Sequence, residues 1–171
     1  MEVRSVEAIV QALNEAQVKY LIVGGLAVVA HGYERLTGDV DLVIGLEPDN
    51  ITRGLRALIA IGYVMSIPET PERFADPALR EHWRNTKQMI VLKLWSDLHR
   101  RTPIDVFVYE PFDFAREHAA ATLETVMPGV LAPVVTYSTL VAMKREAGRP
   151  QDIADLADLA IVQKLKQKRT Q

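Results

Sequence analysis

Apolar residues recur along this chain in two rhythms. Val6, Ile9, Val10 and Leu13 stand at i, i+3, i+4 and i+7, the spacing of a helix with one buried face, and Ser5 is placed to cap it. Tyr20-Leu21-Ile22-Val23 is a short apolar run stopped by Gly24-Gly25, which predicts a strand. Leu26 to His31 then predicts a small helix ending at Gly32, and Asp39 to Ile44 a second strand. Pro48-Asp49-Asn50 opens a helix carrying Ile51, Leu55, Leu58 and Ile59. Residues 66–86 hold Pro68, Pro71 and Pro77 among charged residues and predict only a short helix near Ala78–Trp83.

Further along, Gln88 to Trp95 and Ile104 to Tyr109 read as strands. The polar link Ser96–Pro103 is too short for a parallel crossover, so these two strands form a hairpin. Ala115 to Leu123 predicts a helix, and Leu131 to Thr136 a fifth strand, assigned to a sheet edge because of Pro133. Two helices close the chain, Tyr137 to Ala147 stopped by Gly148, and one from Pro150 to the region of Lys166. This order predicts the α+β class: a mixed β-sheet with helices packed against it. The expected organisation is a single domain over 1–171, with 137–171 a helical pair packed on it.

Composition narrows the functional classes. At 171 residues and 49% hydrophobic, the chain can bury a real core. A net charge of −2 gives no global attraction to nucleic acid or anionic membrane. Cysteine is absent, which excludes disulfides, thiolate zinc sites and a cysteine nucleophile. No run approaches the ~18 apolar residues of a membrane span. The first residues lack the basic-then-apolar pattern of a secretory signal, so the expected location is the cytoplasm, without a membrane partner.

Asp39 and Asp41 change the picture most. Residues two apart on a strand share a face, so both carboxylates aim at one spot on an otherwise apolar strand. Close like charges repel, so a positive group is expected between them, and a divalent cation with oxygen ligands suits the donors. Asp105 is a third acid inside an apolar run, sharing a face with Phe107 and Tyr109. If its strand lies beside Asp39–Ile44, three carboxylates converge in the pattern that holds two Mg2+ ions for phosphoryl or nucleotidyl transfer. Gly24-Gly25 follows a strand and opens a helix, a turn through which backbone N–H groups can approach a phosphate. A haloacid-dehalogenase-type phosphatase also uses Asp-x-Asp, but there the apolar strand leads into the acids, whereas here it follows them.

Together, Gly24-Gly25-x-Ala27, His31-Gly32-x-x-Arg35-x-Thr37-x-Asp39-Val40-Asp41 and the lone Asp105 resemble the nucleotidyltransferase fold of the polymerase-beta superfamily. Within it the motif is similar to the branch of AbiEii-type toxins of type IV toxin–antitoxin systems and small bacterial nucleotidyltransferases. Lys144-Arg145-Glu146-Ala147-Gly148-Arg149-Pro150-Gln151-Asp152-Ile153-Ala154-Asp155 resembles that branch's Lys-x-x-Ala-x-Arg-x-x-Asp-x-x-Asp element. The resemblance implies a Mg2+-dependent enzyme that moves an NMP from an NTP to a hydroxyl of RNA or tRNA, a protein or a small molecule. A toxin–antitoxin role with a cognate antitoxin is implied as one setting. It implies that Asp39 and Asp41 hold both metals, that Asp105 binds the catalytic metal and acts as base, and that Gly24, Gly25 and Lys144 meet the triphosphate. Arg35 and Thr37, just before the acids, are read as shaping the nucleotide mouth. Two departures stand out: Gly25 replaces a common Ser, and the large C-terminal helical domain of the full-length toxins is missing from this sequence. The rival expectation is a non-catalytic interaction protein, antitoxin-like, that retains the fold.

Each motif residue also has a plainer reading. Lys144 can snorkel from the apolar face of Leu140, Val141 and Met143. Arg149 and Asp152 can form a structural ion pair between the last two helices, and Asp155 can orient Lys144. Thr37 can bond its own backbone. His31 can cap its helix, while His82, His99 and His118 lack ligand spacing and read as surface groups. The basic tail of Lys164, Lys166, Lys168 and Arg169 fits a solvated helix end, with RNA phosphates as the sharper alternative.

Overall fold

A computed structural model of the chain describes residues 1–169. It is a seven-stranded mixed sheet with helices packed on it, which is the predicted α+β class. In chain order the elements are α1 (Val3–Glu15), β1 (Tyr20–Ile22), α2 (Gly24–Ala30), β2 (Val40–Ile44) and α3 (Pro48–Ala60). Then come β3 (Val64–Met65), α4 (Pro71–Phe74), α5 (Pro77–Lys87), β4 (Val91–Trp95) and β5 (Ile104–Phe107). The last five are α6 (Phe114–Ala120), β6 (Thr122–Met127), β7 (Val130–Val134), α7 (Tyr137–Ala147) and α8 (Pro150–Arg169). Across the sheet the order is β3-β4-β5-β2-β1-β7-β6.

The sheet's centre follows the apolar pattern. Leu42, Val43 and Ile44 of β2 are buried, as are Ile104 and Val106 of β5, while Asp105 and Phe107 alternate to the other face. β4 and β5 form the expected antiparallel hairpin, with Lys93 opposite Asp105. β2 and β5 run parallel, with Asp41 level with Asp105. Under the sheet lie Val6, Ile9 and Leu13 of α1, and Ile51, Leu55 and Leu58 of α3, the periodic residues of those helices.

Several expectations are corrected. Ser5 does not cap α1: Glu2 occupies the cap position, and Ser5 is buried one turn in, with its hydroxyl 2.9 Å from His99 Nδ1. His99 is accordingly not a free surface group, and its ring stacks on Tyr63 at 5.3 Å. The strand around Pro133 is not an edge, because β7 lies between β1 and β6. Proline is tolerated there because pairing with β1 begins only at Val134, so its missing N–H interrupts no bond to that strand. The helix expected to Leu123 stops at Ala120, and after Ala121 the six residues Thr122–Met127 become β6, the edge on that side. Its weak alternation is rescued by pairing with β7 across a tight turn at Pro128-Gly129. β3 is two residues long, too short to leave a periodic signal. No helix among the described residues is long and apolar enough to cross a membrane.

Buried Asn50 ties the start of β1 to the end of β2. Its side chain accepts from Lys19 N at 2.8 Å and donates to Lys19 O at 3.0 Å and Gly45 O at 2.8 Å. Asn50→Ala leaves these backbone groups without their partner, and urea denaturation is expected to show a loss of about 2–4 kcal/mol.

Candidate active site

The parallel register of β2 and β5 places Asp41 and Asp105 side by side, and Asp39 precedes β2 by one residue. One oxygen from each of the three carboxylates lies within 4.8 Å of the others. Hard oxygen donors so arranged suit Mg2+. They floor a cleft of about 790 Å3, with Gly24 and Gly25 on one side and Ile90, Phe107 and Tyr109 on another.

The glycines have a structural reason at this spot. Gly24 has a φ of +62°, and a Cβ there would run into the Asp41 carboxylate. A Cβ on Gly25 would collide with Thr37 and crowd the Arg35 guanidinium. The turn therefore carries no side chains because the start of α2 is pressed against the acids and the loop before them.

Asp41 feels the crowding. Burial first, then the charges of Asp39 and Asp105, push its carboxyl up to about 6, against opposing pulls from the Gly25 backbone and Lys144. One of the three acids is met by a positive group of the chain itself. Lys93 Nζ donates to Asp105 Oδ1 at 3.0 Å and Oδ2 at 2.8 Å. The partner of Asp105 is thus the lysine directly opposite in the hairpin. The sequence reading passed over Lys93. The one available signal was a charge inside the apolar run Met89 to Trp95, but an eight-residue link does not define hairpin register.

A second set of charges, with Arg35, Lys144, Arg149 and Asp152 among them, lines the same cleft. Lys144, buried on α7, lies 2.9 Å from Asp152 Oδ1 and 2.7 Å from Asp155 Oδ2. Arg149 donates through Nε to Asp152 Oδ2 at 2.7 Å, and Arg35 Nη1 reaches Asp155 at 2.6 and 2.7 Å. Burial works to raise Asp152, yet the hydrogen bonds from Arg149 and Lys144 outweigh it and hold the carboxyl at about 2. Asp155 is likewise lowered, its burial overcome by Lys144, Arg35 and Gln151.

Lys144, Arg35 and Arg149 all line the cleft with the three acids. Thr37 stands behind Gly25, outside that lining, with its hydroxyl 3.4 Å from Asp39 O. His31 caps α2 and its Nε2 meets Val135 O at 2.9 Å. Trp83 is core, while Trp95 is half exposed beside β3, away from the cleft lining. In the basic tail Lys164 and Lys168 are exposed and Lys166 donates to His31 O at 3.0 Å, while the side chain of Arg169 lies outside the described residues.

No family model matches the sequence, and no curated protein matches it. Among solved structures, the lincosamide antibiotic adenylyltransferase LnuA, with lincomycin bound, superposes with a TM-score of 0.59. The two share 14% identity, and the match covers 95% of this chain and 98% of that one. The likeness is one of fold: the chain has the nucleotidyltransferase fold.

Two stability effects follow from these charges. Because Asp41 holds its proton to higher pH when folded, the unfolded chain ionises first, and its burial costs stability progressively from about pH 4 to 6. In EDTA, Asp41→Asn is expected to raise the melting temperature above pH 6, the gain vanishing toward pH 4. Asp155→Ala removes a carboxylate from both Lys144 and Arg35, and chemical denaturation is expected to show a loss of about 3–5 kcal/mol.

Proposed function

We propose that the chain is a Mg2+-dependent nucleotidyltransferase that moves an NMP from an NTP to a hydroxyl and releases pyrophosphate. The observation that carries this reading is the level pairing of Asp41 with Asp105 across parallel β2 and β5, with Asp39 beside them. Three hard carboxylates on the floor of one cleft match the donor chemistry of the ion pair such transfer uses. When bound, the metal pair supplies neutralisation of the triphosphate charge and a more acidic acceptor hydroxyl. Asp39 and Asp41 would hold both ions and Asp105 one of them, with Asp105 also placed to take the acceptor's proton.

The cleft divides the remaining tasks. Lys144 spends two of its three N–H donors on Asp152 and Asp155, leaving one for a phosphate oxygen. Arg149 is mostly exposed beside it, and Arg35 lines the same cleft. Gly24 and Gly25 let a phosphate come close to backbone N–H groups. Ile90, Phe107, Tyr109 and Pro111 add apolar lining that suits the flat or greasy part of a substrate. Since LnuA is an adenylyltransferase acting on lincosamides, ATP and hydroxylated small molecules are the first pair to test. RNA and protein hydroxyls are the others.

The test uses each α-labelled NTP with Mg2+ and pools of tRNA, protein and hydroxylated antibiotics. Label is expected in one pool, with pyrophosphate released and Asp105→Asn reducing transfer at least about a thousandfold. Calorimetry is expected to show NTP–Mg2+ binding that Asp39→Ala/Asp41→Ala abolishes, and unchanged affinity in that double variant would sink the site assignment. Nucleotide binding without transfer to any pool would support the interaction-protein alternative. If the chain acts as a toxin, its expression arrests growth and Asp105→Asn restores it.

A further inference from the structure

We propose that Lys93 is a tethered counter-ion for Asp105 that a divalent cation must displace, so that this lysine sets how tightly the three-aspartate site takes metal. The inference rests on the two-metal reading above and adds to it a residue that the resemblance does not assign.

The geometry is specific. The hairpin register sets Lys93 directly opposite Asp105, and its ammonium bonds both oxygens, at 3.0 and 2.8 Å. Lys93 lines the same cleft as the three acids. Its ammonium also feels the charges of Asp39 and Asp41, so it lies in the field of the whole cluster. The other cations of the cleft are committed elsewhere, since Lys144 pairs with Asp152 and Asp155, Arg149 with Asp152, and Arg35 with Asp155.

The two halves of the pair are unequal. The Asp105 side chain is 11% exposed, whereas that of Lys93 is 67% exposed. A lysine with a flexible four-carbon stem and water on most of its length can swing out at small cost, and so exposed a pair is weak. Lys144, at 7% exposure, has no such freedom. An ion held by Asp105 would meet the like charge of Lys93 at close range if the ammonium stayed, and two ions would meet it more strongly. Without metal, the ammonium compensates the buried carboxylate. With metal, it must leave.

Mn2+ binding without nucleotide, followed by calorimetry or the loss of free-ion paramagnetic signal, is the direct test. Lys93→Met is expected to bind Mn2+ about tenfold tighter than the parent protein. Lys93→Arg, which can still pair with Asp105, is expected to bind no tighter. In an Asp105→Asn background Lys93→Met is expected to change affinity little, because the displaced pair is already gone. Metal-free Lys93→Met is expected to melt lower than the parent and to gain more from Mn2+; Lys93→Gln provides a polar control for folding. Equal Mn2+ affinity in parent and Lys93→Met overturns the inference and leaves the two-metal reading standing. Equal tightening in the Asp105→Asn background overturns it as well, since that result reports only the general field. No binding in any variant overturns the inference together with the two-metal reading.

Discussion

Three negative charges held within a few ångströms of one another on an apolar sheet are the constraint around which this molecule is arranged. Left alone, such a cluster repels itself and is costly to bury. The fold meets that cost locally and unevenly. Asp105, the most buried of the three, is answered by Lys93 from the neighbouring strand. Asp41, beneath the glycine turn, is left to absorb the strain, and its carboxyl is pushed up accordingly. The cluster is thus only partly compensated by the chain's own charges.

The same constraint explains why the surroundings are so rigidly tied. Apart from Lys93, positive charge in the cleft is tied to acids outside the cluster of three. Lys144, Arg149 and Arg35 are committed to Asp152 and Asp155. These bonds join a loop at residue 35 to a helix 120 positions later, so the cleft's positive lining depends on α8 being docked. Both carboxylates are fully buried, which makes the network costly to break and its geometry narrowly defined.

The cleft brings charged and apolar side chains together. The three acids, the paired cations and the apolar residues Ile90, Phe107 and Tyr109 all line it. Tyr109 is itself held by the Arg84 guanidinium, 4.0 Å above its ring.

The sequence by itself determined whatever is written in local spacing. The periodic faces of α1 and α3 are there to read, as are the strand of Asp41 with Asp39 just before it, the β4–β5 hairpin and the acid stranded at Asp105. So is the closeness of Lys144 to the acids of α8, because those residues are neighbours along two consecutive helices. What only the tertiary structure decided concerns partners distant in sequence. β6 and β3 are strands because of what they pair with, and β7 is interior because β6 covers its outer side. Ser5, which looks like a cap, meets His99 instead. Lys93 faces Asp105 through a register that an eight-residue link leaves undefined, and Arg35 finds Asp155 only once α8 is docked. Local propensity is a property of a residue and its near neighbours, whereas the partner of a charge or an edge strand is chosen by packing across the whole sheet.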